Sequence, residues 1–372
     1  MKKTILHISK YYYPYLGGIE TLVKSLAEGM TEYRNVVVCF STEGMDSTEE
    51  MDGVMVHRVK VNFSLMSQDV AFGYYHTLRH LMAEYQPRYV HVHCPNPFIY
   101  PIVLKTIHQD TKLILHWHSD ILSKGAAYWL VKPLETAILR RADLIVATSP
   151  NYIHPSSPIF SYKEKAGVVQ SGIITADFDL REEDEKRISR IKEKYGRKPL
   201  VLFIGRHIPY KGIDWLMEAE KYVKNECQFI IVGSGPLTDQ LKRQNTSGRI
   251  TFTGKLSSED LRCYAHAADI FAFTSNTKAE AFGLALAEAM YCRCAPVVFS
   301  LEGSGVNWVS VKNKTGLEVP LGDVKAYARA IDQLIGDEEL RKDFSEAAHQ
   351  RALEMFTDQM AVRQMEKLYN SL

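Results

Sequence analysis

Residues 199–212, Pro-Leu-Val-Leu-Phe-Ile-Gly-Arg-His-Ile-Pro-Tyr-Lys-Gly, decide the fold. Leu200 to Ile204 is a short, continuous apolar run behind a proline, which reads as a strand buried on both faces. Gly205 to Gly212 reads as a polar loop at its carboxyl end, and helical spacing follows at about 215–223. The same strand–loop–helix unit recurs downstream. Strand-like runs at 229–232, 250–252, 270–273 and 296–299 alternate with helical stretches at about 237–244, 258–267 and 283–291. It also recurs upstream. There, runs at 4–9, 36–40, 54–61, 89–93, 114–117 and 144–147 alternate with helical spacing at 19–30, 74–85 and 128–141. This alternation predicts parallel sheets with helices on both faces. The charge-dense stretch 177–198 breaks the rhythm and reads as a solvated helix after a linker. Two α/β halves of similar size therefore meet near residues 170–180. Residues 338–372 are helical in pattern and carry no strand.

The 372 residues fit two domains at ~150 residues each. A composition of 46% hydrophobic and 24% charged residues excludes a disordered chain. Lys and Arg total 45 against 44 for Asp and Glu, which excludes a globally basic nucleic-acid binder but not a local basic site. The longest apolar run, Phe282 to Phe299, is interrupted by Glu288 and Arg293, so no membrane span is expected. The start Met1-Lys2-Lys3-Thr4-Ile5-Leu6 meets His7 and Ser9 too soon for a signal-peptide core, and a cytoplasmic protein is expected. The six cysteines include no C-x-x-C pair; Cys292 and Cys294 are C-x-C without a neighbouring ligand cluster. Free thiols in a reducing compartment are the reading.

Four segments carry chemistry. Gly17-Gly18, between a strand and a helix, lets backbone approach a ligand and places a helix N-terminus behind it, which favours an anion. Alone it reads more simply as a turn, and it is not the G-x-G-x-x-G dinucleotide fingerprint. Arg206 and Lys211 are two cations five apart at a strand's carboxyl end, where open α/β sheets bind ligands; the arrangement suits a diphosphate as well as it suits a solvated loop. Glu280-Ala281-Phe282-Gly283-Leu284-Ala285-Leu286-Ala287-Glu288 sets two carboxylates eight apart around an apolar helix start. A buried Glu288 needs a partner, either a sugar diol or a cation, and the amides of Phe282, Gly283 and Leu284 point toward an anion or hydroxyls. Finally, His116-Trp117-His118-Ser119-Asp120 ends a strand. His116 and His118 share a face, but the sequence offers no third ligand nearby beyond Asp120. A single histidine projecting into a cleft is therefore favoured over a zinc site. Ten of the thirteen histidines precede residue 173, so pairs such as His91/His93 are expected by coincidence.

Gly17-Gly18, His118, Arg206/Lys211 and Glu280-x7-Glu288 together resemble the retaining glycosyltransferases of family 4. Gly233-Ser234-Gly235-Pro236-Leu237 and Gly254-Lys255-Leu256 add further landmarks, and the match runs nearly end to end. The segment HWHSDI with Ala147-Thr148-Ser149-Pro150 is similar to bacterial enzymes of O-antigen, capsule and exopolysaccharide synthesis, several of them mannosyltransferases. The resemblance implies the GT-B fold, two Rossmann-like domains facing across a cleft. Residues 1–173, joined by a helix at about 356–372, would bind the acceptor, and 174–355 the nucleotide-sugar donor. It also implies roles. Arg206 and Lys211 bind the diphosphate, with Gly17 and Gly18 closing on it. Glu288 takes the ribose hydroxyls, while Leu256 and the turn at Gly233 contact the base. Glu280 holds the transferred sugar, and His118 a sugar or acceptor hydroxyl. Phe282, Gly283 and Leu284 line the donor.

The implied reaction moves a hexose, mannose from GDP-mannose being favoured, to a glycan or lipid-linked acceptor. The donor is a substrate, and neither a cofactor nor a metal is required, since cations and helix ends neutralise the leaving group. Asp177-Phe178-Asp179 is a D-x-D in form only. Residues 128–141, with Trp129, Leu130, Leu134 and Ile138 alongside Lys124, Lys132, Arg140 and Arg141, could touch a membrane surface, though an ordinary domain helix is the plainer reading. The competing functions are a nucleotide-sugar 2-epimerase, distinguished by an isomerised sugar without transfer, and a non-catalytic partner subunit, against which the complete donor set argues. A two-lobed small-molecule binding protein is weaker still, lacking a signal peptide.

Overall fold

The computed structural model describes residues 2–15, 17–65, 68–121 and 128–372. The chain divides into two units, residues 1–172 with 358–372, and residues 173–357.

The strands of the first unit are β1 (Thr4–Ile8), β2 (Arg34–Ser41), β3 (Ser47–Met51), β4 (Val54–Lys60), β5 (Phe63–Leu65), β6 (Gln68–Val70), β7 (Tyr89–Cys94), β8 (Lys112–Trp117), β9 (Leu144–Ala147) and β10 (Ala166–Val168). Eight of them form one sheet in the order β10-β9-β8-β7-β1-β2-β4-β3, while β5 and β6 make a separate hairpin. The neighbours pair in parallel except β3 with β4. The order turns at β1, which lies between β2 and β7. The helices Gly18–Gly29 and Asp358–Asn370 lay Leu22, Leu26, Met365 and Tyr369 over Ile5, Tyr89 and Ile114 of the sheet.

The second unit holds β11 (Leu200–Ile204), β12 (Gln228–Val232), β13 (Ile250–Gly254), β14 (Ile270–Phe273), β15 (Ala295–Phe299) and β16 (Leu317–Val319), all parallel, in the order β13-β12-β11-β14-β15-β16. Alternate residues of β11 serve opposite cores. Leu200 and Leu202 join the cluster containing Phe282 and Leu286, whereas Val201 and Phe203 join the one containing Leu216 and Tyr327. Both faces are covered, so the run is continuously apolar instead of alternating.

Some expectations need correction. Five strands were not expected: β5, β6, β10 and β16 are only three residues long, too short for a pattern, and β3 lacks apolar residues but for Met51. β3 (STEEM) is polar because it is an edge strand, with both its faces largely exposed. The charge-dense stretch does form a largely solvent-facing helix, but it is anchored at its first residue. Its helix, Asp184–Lys194, is pinned by Asp184, fully buried and gripped by Arg262 at 2.7 and 3.1 Å. That guanidinium holds the Asp184 carboxyl well below the usual carboxylate range. All six cysteines are free and buried. Among the described residues, no helix is long and apolar enough to cross a membrane.

Candidate active site

In the second unit the order turns at β11, which lies between β12 and β14, so a ligand crevice is expected at its carboxyl end. Gly205 to Gly212 occupies that end. The backbone of Gly212 has φ 63°, and a Cβ there would stand 2.2 Å from the Thr274 carbonyl oxygen. Only glycine fits, and this close approach holds the loop against the segment after β14. Lys211 Nζ pairs with the Glu280 carboxylate, which also accepts the Ser275 hydroxyl at 2.7 Å. The two charged side chains are only 13% and 12% exposed. Burial works against the Lys211 ammonium, but the Glu280 carboxylate outweighs it and holds the lysine above its usual value. Arg206 is near enough to oppose that charge; it is exposed and has no ion pair among the described residues.

The segment beginning at Glu280 turns at Gly283, whose φ of 91° lies in the left-handed region, and enters the helix Leu284–Tyr291. Phe282 is buried beneath it in the core. The amides of Phe282, Gly283 and Leu284 donate to nothing among the described residues. Glu288 is half-buried, and its side chain likewise has no hydrogen-bond or ion-pair partner among them, so the salt bridge considered from the sequence is not seen there. Burial, and then the charge of Asp177, raise its carboxyl to about 7. Of the D-x-D residues, Phe178 is core and Asp179 accepts the Tyr291 hydroxyl. Gly233 and Gly235 pack on the loop itself. A Cβ on either would come within 2.0 Å of the Gly205 carbonyl oxygen or 2.6 Å of that of His207. Their glycines thus serve loop-on-loop packing. Leu256 is half-buried against the core that contains Phe282.

In the first unit, Gly17 is extended (φ −169°) and precedes the helix Gly18–Gly29. A Cβ on Gly17 would lie 2.4 Å from the Glu20 carboxylate, so the helix start expected to receive an anion has an acidic side chain of its own beside it.

His118 is not a lone histidine. It ends a column of five buried imidazoles, with His7 on β1, His91 and His93 on β7, and His116 and His118 on and just beyond β8. The register explains this, since His7 lies opposite His91 and His93 opposite His116. His93 therefore supplies the third ring that the local sequence lacked. The ring nitrogens of His93, His116 and His118, and of His7, His91 and His93, lie within 4.8 Å of one another in each group. Burial drives all five well below the usual imidazole value, His7 to about 4 and His118 to about 3, so they are neutral near pH 7. Asp120, the other ligand candidate, is buried and accepts Trp117 Nε1–H at 3.0 Å and the Ser157 hydroxyl at 2.9 Å. It fixes the turn after β8.

On the helix Tyr128–Arg141 the apolar residues divide. Ile138 is core, while Trp129 and Leu130 are 70% and 79% exposed beside Lys132. Lys124 lies outside the described residues.

Two family profiles match. The one for glycosyl transferases group 1 covers residues 184–351, and the glycosyl transferase 4-like domain covers residues 17–152. Among curated proteins, the chain is 28% identical to O-antigen chain mannosyltransferase C of Escherichia coli, covering 99% of this chain and 98% of that one. It is 29% identical to D-rhamnosyltransferase WbpZ of Pseudomonas aeruginosa, covering 95% and 92%. Among solved structures, sucrose-phosphate synthase from Thermosynechococcus elongatus superposes with a TM-score of 0.79 at 19% identity, over 99% and 98% of the two chains. Two Rossmann-like units, a glycosyltransferase profile on each and full-length likeness to bacterial glycosyltransferases agree: the chain belongs to the glycosyltransferases of the family 4 type, with the GT-B fold.

Proposed function

We propose that this glycosyltransferase is a retaining, metal-independent hexosyltransferase of bacterial surface polysaccharide synthesis. It moves mannose from GDP-mannose to a glycan or lipid-linked saccharide. The donor assignment draws on the mannosyltransferase named above and on the HWHSDI segment. One observation carries the reading: the Lys211–Glu280 pair at the end of β11, with Arg206 beside the lysine and without an ion pair among the described residues.

A departing nucleoside diphosphate gains negative charge at its distal oxygen. Lys211 and Arg206 bind that charge, the arginine through a bidentate fork and the lysine as a point charge. As Lys211 turns to phosphate, Glu280 is released to hold hydroxyls of the sugar on which positive charge develops. Glu288, whose side chain has no partner among the described residues, accepts the ribose hydroxyls, and the amides at 282–284, which donate to none of them, face the donor. Gly17 and Gly18 approach the phosphates, and Leu256 and the Gly233 turn contact the base. His118 bonds a hydroxyl of the sugar or the acceptor. Trp129 and Leu130 with Lys132 rest on the cytoplasmic face of the membrane, where a lipid-linked acceptor resides.

A thermal-shift panel of nucleotide-sugars tests this. GDP and GDP-mannose are expected to raise the melting temperature by a few degrees, about the effect of ligand at a hundred times Kd. Stabilisation by a UDP-sugar alone would replace the donor, and no response to any would overturn the reading.

A further inference from the structure

The histidine column contains a hydrogen-bonded chain with a fixed direction. It starts at Asn35, whose Nδ2 donates to the Met30 carbonyl at 2.9 Å. That commitment turns Oδ1, which can only accept, toward His7 Nε2 at 3.4 Å. His7 Nε2 therefore carries the proton. A neutral imidazole has one N–H, so His7 Nδ1 is a bare acceptor, and it faces His93 Nε2 at 3.4 Å. By the same step His93 Nε2 carries the proton and its Nδ1 accepts from His118 Nε2 at 3.0 Å. His118 is left as its Nε2–H form. Its Nδ1 has no partner among the described residues. His118 is also the most accessible of the four, at 8% against 0%, 2% and 6% for His7, His93 and Asn35. Burial keeps all three imidazoles neutral, which the one-proton logic requires.

The arrangement suits a relay of tautomers better than a metal. Zinc needs several lone pairs converging on one point about 2.0–2.1 Å from each nitrogen. Here the rings stack, with interplanar angles of 22° for His7–His93 and 12° for His93–His118. Their nitrogens also sit at hydrogen-bond separations, N–H against lone pair. His91 and His116 buttress the column by stacking at 6°, and His91 is itself tied to the Tyr369 hydroxyl at 2.6 Å.

We propose that Asn35, His7 and His93 are positioning residues that fix the Nε2–H tautomer of His118, presenting Nδ1 as an obligate acceptor for a sugar hydroxyl. The hydroxyl's identity rests on the glycosyl-transfer reading above; the tautomer does not. A wrongly protonated Nδ1 would point a donor where an acceptor is needed, and the hydroxyl would lose its place while the diphosphate end of the donor stayed bound.

Long-range proton–nitrogen spectra of the full chain labelled with 15N-histidine read which ring nitrogen is protonated, and His118→Gln identifies the His118 signals. The expected result is Nε2–H for His118 in the unsubstituted protein. His93→Leu and the more distant Asn35→Leu should both convert it to a mixture. His93→Asn, whose side-chain oxygen lies close to the place of Nδ1, should keep it. With donor and acceptor present, kcat should fall on the order of tenfold in His93→Leu with little change in donor KM, and recover in His93→Asn. The proposal is overturned if unsubstituted His118 is protonated on Nδ1, or if both leucine variants, folded by their melting curves, leave its tautomer untouched. Stoichiometric Zn²⁺ that shifts all the histidine signals and raises the melting temperature would overturn it in favour of a metal site. If no donor supports transfer, the glycosyl reading fails while the spectra still decide the tautomer.

Discussion

The carboxyl ends of the two sheets handle polar groups in opposite ways. In the second unit the groups are charged and sit on loops and a helix start: Lys211 paired with Glu280, and Arg206 and Glu288 unpaired among the described residues. In the first unit the histidines are neutral and largely belong to strands, five imidazoles of which His7, His93 and His118 are linked to each other and to Asn35, and His91 to Tyr369. Under the proposed reaction the contrast matches two chemical tasks. A leaving diphosphate is stabilised by net charge, which flexible cations deliver. A hydroxyl is selected by a donor or acceptor of fixed direction, and a rigid strand gives that without burying charge.

The comparison can be broken at several points. The largest effect is expected from Lys211→Ala, which removes the buried cation and leaves Glu280 without its counter-charge. It should lower kcat by about 10²–10³, the cost typical of one charge-stabilising donor, measured by transfer from radiolabelled donor. Arg206→Ala should cost less, about tenfold and mainly in donor KM, because Arg206 is exposed and its charge partly screened. If the arginine variant is the more damaged, the charged end is organised around the wrong residue.

Glu288 gives a pH signature. Its carboxyl titrates at about 7 when folded, above its ordinary 4.5. The folded state therefore binds more protons than the unfolded one between those values, and the stability of the unliganded protein falls as pH rises through that window. Donor affinity should run the other way, falling below pH 7 as the acceptor carboxylate is lost. Glu288→Gln should flatten both profiles: it melts a few degrees higher than the parent at pH 8, melts with it at pH 4, and binds donor weakly throughout. The smallest effect concerns the exposed pair. Trp129→Ala with Leu130→Ala should leave the melting temperature unchanged and abolish co-flotation with anionic liposomes at low salt. No flotation of the parent protein at low salt would remove the membrane from the account, and equal flotation of both proteins would take the contact away from Trp129 and Leu130.

The charged site was legible because its residues are local. Glu280, Gly283 and Glu288 lie within nine residues, and Arg206 to Lys211 spans one loop. That Lys211 and Glu280 pair across 69 positions was not legible, nor was the lack of a partner for the Glu288 side chain among the described residues. The alternation of strands and helices was equally plain, because strands buried on both faces are continuous apolar runs. Where burial was lacking, as in β3, the signal vanished. The histidine column failed for a different reason. His7 and His93 are 86 residues apart and meet only because β1 pairs with β7, and β8 then adds His116 and His118, a register that no local pattern encodes. A column assembled this way looks in sequence like a scatter of pairs.

The helix Asp358–Asn370 belongs to the first unit although the whole second unit precedes it in the chain. Its Tyr369 is fully buried, accepts the Tyr89 hydroxyl on its carbonyl at 3.2 Å and holds His91. During synthesis on a ribosome the first unit emerges early, yet on that face its sheet waits only partly covered, by the helix Gly18–Gly29, until the second unit has been made. The order of completion is thus the reverse of the order of translation. A nascent chain stalled near residue 357 would expose the histidine column's neighbours to chaperones, while residues 173–357 could already have collapsed into their own core.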